Sequence, residues 1–485
     1  MEDTATKQVR IAPRAIRNLL AVQAGGIISR LAFVAFNIIA VRMLGKEKFG
    51  LWSLIFVLLG IGYAIVDFGL DPLTIRDIAR NRSNLKEYLS TLFGIKLCLS
   101  LLALPVLFIA SHILSDSPES YKLILLAAPL LMFTALEGPF ASALRALERM
   151  HLTSLVDTAY TCLQVASGIC LLFLGFKIGA LLGAYIFWAF WRWLTYYLII
   201  RKDVGLIRPG LDKSIAKYLL SNSYIFAILG VLAFIHFRVD TLMLARMKSY
   251  EVVGIYAAPY KLLEPIMFAS ISINMVLMPT VSSMLVTSKE SLRRVIESIV
   301  RILAAISFPV LLLMGYYARD IVLLVFGEAY APSSSILRIF CVICALAFAF
   351  TPFRVLILNS TYTKKFGVFL LFNTALNISL NLILIPKYSF VGAGIATFIT
   401  FGIDSVVRYL FATRIFDGRR PDIHVALIKL IVAVGLMWLT LTVTGFAPLV
   451  LQVLLAVLVY VSAFFLLSSI KKSEITFLLT ARRET

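Results

Sequence analysis

The chain is short of charge, and of acidic charge above all. Only 15% of its 485 residues are Asp, Glu, Lys or Arg, against roughly a quarter in soluble domains. Acids number 26 against 46 bases. With 60% hydrophobic residues and a mean hydropathy of +0.93 spread along the whole length, a water-soluble fold is excluded. Histidine and cysteine are equally scarce. His112, His151, His236 and His424 lie far apart, so no metal site is expected. Cys341-x-x-Cys344 has the spacing of half a zinc or redox site, but it falls inside an apolar stretch with no second pair and reads as two small apolar residues. A G-x-x-x-x-G-K-[ST] phosphate cradle is missing, which excludes ATP hydrolysis within the chain. No loop is long enough to hold a catalytic domain, so neither an enzyme nor a cofactor is expected. No A-x-A-like cleavage site follows the basic N-terminus, so the first apolar span is expected to be retained.

What the chain does have is apolar runs. A helix needs about 20 mostly apolar residues to cross the roughly 30 Å of hydrocarbon, where backbone polar groups must be satisfied internally. Fourteen segments meet this test, near 18–44, 51–70, 88–114, 120–147, 152–175, 178–200, 214–246, 250–286, 292–317, 333–360, 363–385, 391–415, 423–445 and 447–470. An all-α integral membrane protein of about 14 helices follows. An even count puts both termini on one side. Connections on that side hold 27 bases, from Lys7, Arg10, Arg14 and Arg17 to Lys471, Lys472, Arg482 and Arg483, against nine on the other. The positive-inside rule then makes both termini cytoplasmic. The net charge of +20 is mostly a topology signal facing anionic lipid, and calls for no nucleic acid.

The sequence also repeats. Arg42-Met43-Leu44-Gly45-Lys46-Glu47-Lys48-Phe49-Gly50-Leu51-Trp52 aligns without gaps on Arg246-Met247-Lys248-Ser249-Tyr250-Glu251-Val252-Val253-Gly254-Ile255-Tyr256. Six spans separate the two copies, so they enter the membrane in the same direction, as in parallel-repeat transporters. The organisation read from this is a basic tail (1–17), a first lobe (18–200), a polar linker (201–213) containing Arg208-Pro209-Gly210, a second lobe (214–415), and an appended helix pair with a C-terminal tail (416–485). Pro129, Pro139, Pro259, Pro265, Pro279, Pro309 and Pro352 lie inside spans, where each can kink a helix. Gly175, Gly179 and Gly183 are spaced for close helix packing.

Ten bases remain inside spans. A charge at the bilayer centre costs at least about 2.5–3.5 kcal/mol. Arg192, Arg301, Arg338, Arg408 and Lys429 lie near span ends and can snorkel. Arg30, Arg238 and Lys261 are deeper, Lys96 and Arg354 are intermediate, and these five are the candidate cavity cations. Asp67, Glu137, Asp157, Asp240, Glu264 and Asp404 accompany them as ion-coupling or ion-pairing carboxylates. Lys261 and Glu264 share a helix face and can pair, whereas Arg238 and Asp240, two apart, cannot both point at one site. A surplus of fixed positive charge suits an anionic substrate.

Residues 18–50, Asp67-Phe68-Gly69-Leu70, Ile75-Arg76-Asp77-Ile78-Ala79-Arg80, Arg238-x-Asp240, Val253-Gly254-Ile255-Tyr256 with Tyr260-Lys261-Leu262-Leu263-Glu264, and Val325-Phe326-Gly327 with Tyr330 resemble the polysaccharide and oligosaccharide flippase family. That family lies within the multidrug/oligosaccharidyl-lipid/polysaccharide exporter superfamily. The resemblance implies two six-helix lobes around a central cationic cavity that Arg30, Arg238, Lys261 and Arg354 would fill. It implies alternating access in the plasma (inner) membrane. The implied substrate is an undecaprenyl-pyrophosphate-linked oligosaccharide, with sodium or a proton as coupling ion and a glycan polymerase and other assembly proteins as partners. Fourteen spans depart from the twelve common in O-antigen flippases and match the count of the lipid II flippase branch. Two other readings stay open. A cation-coupled drug exporter would share the architecture but wants an acidic or aromatic cavity. A membrane glycan polymerase or ligase would need a sizeable outer loop, and the longest here are about 15 residues.

Overall fold

Backbone groups in hydrocarbon have no water to bond, so a chain this apolar satisfies them within helices. The computed structural model describes residues 2–81, 84–114 and 117–467, with side chains from Val22 onward apart from scattered positions in two long helices. Arg82 and the C-terminal bases Lys471, Lys472, Arg482 and Arg483 lie outside the described residues, as do the side chains of Lys7, Arg10, Arg14, Arg17 and Pro279. Among the described residues no strand occurs. The helices are α1 (Glu2–Asp67), α2 (Leu70–Arg80), α3 (Leu85–Leu114), α4 (Pro118–Leu126), α5 (Ala128–Ala146), α6 (Met150–Phe173), α7 (Ile178–Val204) and α8 (Lys213–Met247). They continue with α9 (Tyr250–Thr287), α10 (Lys289–Tyr316), α11 (Ala318–Phe326), α12 (Ser333–Ala349), α13 (Thr351–Leu358), α14 (Thr363–Ile415), α15 (His424–Val443) and α16 (Leu449–Leu466). By length and composition, eight helices of the described residues can cross a membrane, or nine if the bent pair α12 and α13 is one span. Two of the eight are each two helices in succession: α1 breaks at Gly45 (φ 74°) and α14 at Ser389 (φ 54°).

Proline and glycine mark the other breaks. Pro352, in the first turn of α13, has no N–H to continue α12, and the two helices bend by 48°. The expected fourth span likewise divides at Ala127, with Pro129 in the first turn of α5. Between α1 and α2 the chain passes through two residues of positive φ, Phe68 (49°) and Gly69 (71°), which gives the Asp67-Phe68-Gly69-Leu70 motif a backbone reason.

The chain divides into two compact units, Met1–Ala257 and Ala258–Thr485. The division falls inside α9, because α8 packs on α1 and α3. In the first unit, Phe140, Leu144, Tyr196 and Ile200 form a core between α5 and α7. The polar linker is pinned to the start of α3: Ser90 donates to the Arg208 carbonyl at 2.7 Å, and the Gly210 N–H donates to the Ser90 carbonyl at 3.0 Å. A side chain at Gly94 would meet the Gly210 carbonyl oxygen at 2.1 Å. In the second unit, Leu292, Ile296, Phe353, Leu356, Phe411 and Ala412 make the main core. There α15 and α16 pack on each other through Ala433, Met437, Leu441, Ala456 and Tyr460. Their other faces leave Val443, Val450 and Phe465 exposed, as hydrocarbon-facing helices do.

Asp212 caps α8, accepting from the Ser214 and Ile215 N–H groups, both at 2.9 Å, and from the Ser214 hydroxyl at 2.6 Å. The Ser214 hydroxyl and then the Ile215 N–H hold this carboxyl below its ordinary range. A lowered folded value stabilises above the unfolded pKa and is lost as pH falls through the folded one. Asp212→Ala is therefore expected to lower the unfolding temperature at neutral pH, with the gap to wild type closing in acid. A gap independent of pH in thermal unfolding of the two proteins in detergent would rule out this role.

Candidate functional site

The buried charges of the first unit gather around one glycine. Lys96 on α3 is fully buried and donates to Asp67 at 3.0 Å and to Asp71 at 2.6 Å. Tyr63 donates its hydroxyl to Asp71 at 3.2 Å, and the Asp71 N–H caps onto Asp67 at 3.3 Å. On the facing helix, a Cβ at Gly138 would lie 2.5 Å from Lys96 Nζ and 2.8 Å from Asp71 Oδ1, so only glycine leaves room for the cluster. Two carboxyl groups around one ammonium give the group one acidic side chain more than basic. Such a site can take up one proton or bind one further cation.

One residue before Gly138, Glu137 accepts from Arg192 of α7 at 2.6 Å. Nearby on α6 and α7, Tyr196 donates to Asp157 at 2.7 Å. Asp240 of α8 is buried and accepts from its neighbour Thr241 N–H at 2.9 Å and from the Tyr256 hydroxyl.

In the second unit, Lys261 pairs with Glu264 at 2.9 Å, and Asp404 pairs with Arg408 one turn on in α14. Arg354 of α13 is half-buried. A ladder of amides lies buried in α14: Asn373 donates to the Thr400 carbonyl at 3.1 Å, Asn377 to the Thr400 hydroxyl at 3.1 Å, and Asn381 to Asn377 Oδ1 at 2.9 Å. The side-chain oxygens of Asn373 and Asn381 have no donor among the described residues.

Placement thus sorts the expected site residues. Arg30, Arg238, Lys261 and Arg354 are half-buried. Lys96, expected to line a cavity, is instead sealed by two carboxylates and presents no charge to one. Arg192, expected at the interface, is an internal ion-pair member. Asp71 and the Asn373-x3-Asn377-x3-Asn381 ladder were not anticipated, although the four-residue spacing of the asparagines on one face was visible. No group of three or more His, Cys, Asp or Glu among the described residues is gathered to hold a metal ion. Cys341 and Cys344 are buried and unbridged.

Residues 39–335 match a family described as polysaccharide biosynthesis protein. A curated relative, the lipopolysaccharide biosynthesis protein WzxC of Escherichia coli (strain K12), is 26% identical over 362 residues, covering 71% of this chain and 70% of the relative. Among solved structures, the lipid II flippase MurJ in an inward closed conformation aligns with a TM-score of 0.73 at 15% identity, over 93% of this chain and 98% of that one. An inward-facing multidrug resistance MATE transporter of the MOP superfamily aligns at 0.61 with 16% identity, over 80% and 94%. At such identities the likeness is one of fold, and the fold is that of an all-α, multi-pass membrane protein.

Proposed function

The chain belongs to the polysaccharide biosynthesis protein family, and from that premise we propose that it is a flippase carrying an undecaprenyl-pyrophosphate-linked oligosaccharide from the cytoplasmic to the outer leaflet of the plasma membrane. The observation that carries this reading is the family match over most of the chain, joined to a relative named for lipopolysaccharide biosynthesis. The physical requirement agrees with it. A pyrophosphate cannot enter hydrocarbon without fixed counter-charge, and Arg and Lys supply charge-assisted hydrogen bonds to phosphate oxygens. Arg30, Arg238 and Lys261, half-buried in the long helices α1, α8 and α9, and Arg354, half-buried in the short α13, are the cations assigned to hold it. The sugars cross in water and the prenyl tail stays in lipid. Both termini are cytoplasmic in this reading, and a glycan polymerase receives the product. Coupling to a proton or sodium ion is assigned to the buried carboxylates, with Asp67 and Asp71 foremost because their group holds one acidic side chain more than basic.

Charge reversal is the direct check. Arg30→Glu and Arg238→Glu are each expected to abolish surface glycan in cells that depend on this chain while the protein still accumulates in the membrane. Wild-type surface glycan in both variants would overturn the assignment.

A further inference from the structure

A cavity of about 310 Å3 lies inside the first unit, bounded by α1, α5, α6 and α7. That volume is at the low end of small-molecule sites, roughly 300–1,000 Å3. Six aromatic rings line it: Phe33, Phe56, Tyr63, Tyr160, Tyr185 and Trp188. The rings are held in place before any ligand arrives. Tyr185 packs edge-on against Trp52 at 5.2 Å and Phe56 at 5.7 Å between centroids, and Trp188 donates its indole N–H to Ser167 at 2.9 Å.

Three polar groups in the wall have no partner among the described residues. The Tyr185 hydroxyl is buried, on a residue 2% exposed, without a hydrogen-bond partner among the described residues. The Gln164 amide and the Thr134 hydroxyl also line the cavity, and neither side chain has a hydrogen bond among the described residues. All three groups are uncharged, and each both donates and accepts. The one cation in the lining, Arg192, is paired with Glu137.

This chemistry selects a ligand. Electron-rich ring faces suit the C–H face of a pyranose, and hydroxyls that donate and accept match groups that do the same. A phosphate would find no unengaged cation in the lining; an organic cation would find ring faces but no carboxylate, and would leave the three neutral groups that donate and accept unmatched. A peptide or nucleic acid is too large. We propose that this cavity is a subsite for one neutral pyranose ring of the transported glycan, an inference that rests on the flippase reading above. Tyr63 lines the cavity and also bonds Asp71, so a seated ring touches the Lys96 group through a shared residue.

The test uses the full chain in nanodiscs, with methyl glycosides of glucose, galactose and mannose as probes in saturation-transfer NMR. Transfer to ring C–H protons is expected. Tyr185→Phe and Gln164→Leu should each weaken binding about 3- to 10-fold, the size of one lost hydrogen bond. Thermal unfolding of Tyr185→Phe should be unchanged or higher, because that hydroxyl has no protein partner to lose. Absence of transfer from every glycoside, or wild-type binding in both variants, would overturn the subsite. So would binding of ethidium, a planar organic cation, in place of the sugars. Failure of the flippase reading looks different: deleting the chain would leave surface glycan intact whatever the glycosides do.

Discussion

Lys96→Met is expected to cost the folded protein roughly 3–5 kcal/mol, the range for breaking a buried ion pair by removing one partner. Lys96 is fully buried, and both Asp67 and Asp71 depend on its ammonium. Its removal leaves two carboxylates one turn apart with only Tyr63 as a side-chain donor. The loss should appear as a lower unfolding temperature in detergent or as failure to accumulate in membranes. Lys96→Arg should not rescue it, because a larger guanidinium has to fit where a Cβ on Gly138 would already sit 2.5 Å from Nζ. The triple variant Lys96→Met, Asp67→Asn, Asp71→Asn replaces all three groups by neutral side chains and should recover most of the stability, since replacing a whole buried ionic group can be neutral or stabilising. Transport then separates two roles. A group that only holds helices leaves the triple variant active, whereas a group that takes up a coupling ion leaves it folded and inactive. Wild-type stability of Lys96→Met alone would remove the premise of both.

The same cluster shows where sequence reading reaches and where it stops. Breaks were legible because their cause is local: Pro352 lacks an N–H whatever surrounds it, and α12 and α13 bend at that point. Burial and pairing were not, because their cause lies across helices. Distance from a span end placed Arg192 near the interface, yet its partner Glu137 is 55 residues away on α5. Depth in its span alone made Lys96 a cavity cation, and Asp71, just past the end of the second apolar run, gives no local sign of pairing with it. The turn at Phe68 and Gly69 brings Asp71 back. The asparagines of α14 carry no charge, so charge inside spans gives no sign of them. Asp240 has a partner on its own helix, the neighbouring Thr241 N–H, and a second one in the Tyr256 hydroxyl of α9, 16 residues on.

Gly50→Ala and Gly254→Ala are each expected to be among the most destabilising single substitutions in the chain. These glycines occupy equivalent positions in the two copies of the repeat, and the copies touch through them. A Cβ on Gly50 would lie 1.7 Å from the Tyr250 carbonyl oxygen, and one on Gly254 would lie 2.0 Å from that of Lys46. Lys46 and Tyr250 are themselves equivalent in the repeat, so the contact is reciprocal in the manner of a two-fold interface. The obstacle is main chain in both cases, which cannot turn aside as a side chain does. Overpacking a well-packed interior typically costs about 1–3 kcal/mol, more when nothing can move. The nearby Lys46–Glu251 ion pair at 2.5 Å is partly exposed, so Lys46→Ala should change stability by no more than about 1 kcal/mol. A double-mutant cycle gives the decisive number. If the glycines serve one crossing, the first alanine pushes the segments apart and the second enters space already opened, so the double variant should unfold little below the worse single one. Two independent defects would instead add, and an unfolding temperature lowered by the sum of the single effects would show that the repeats do not meet through these residues.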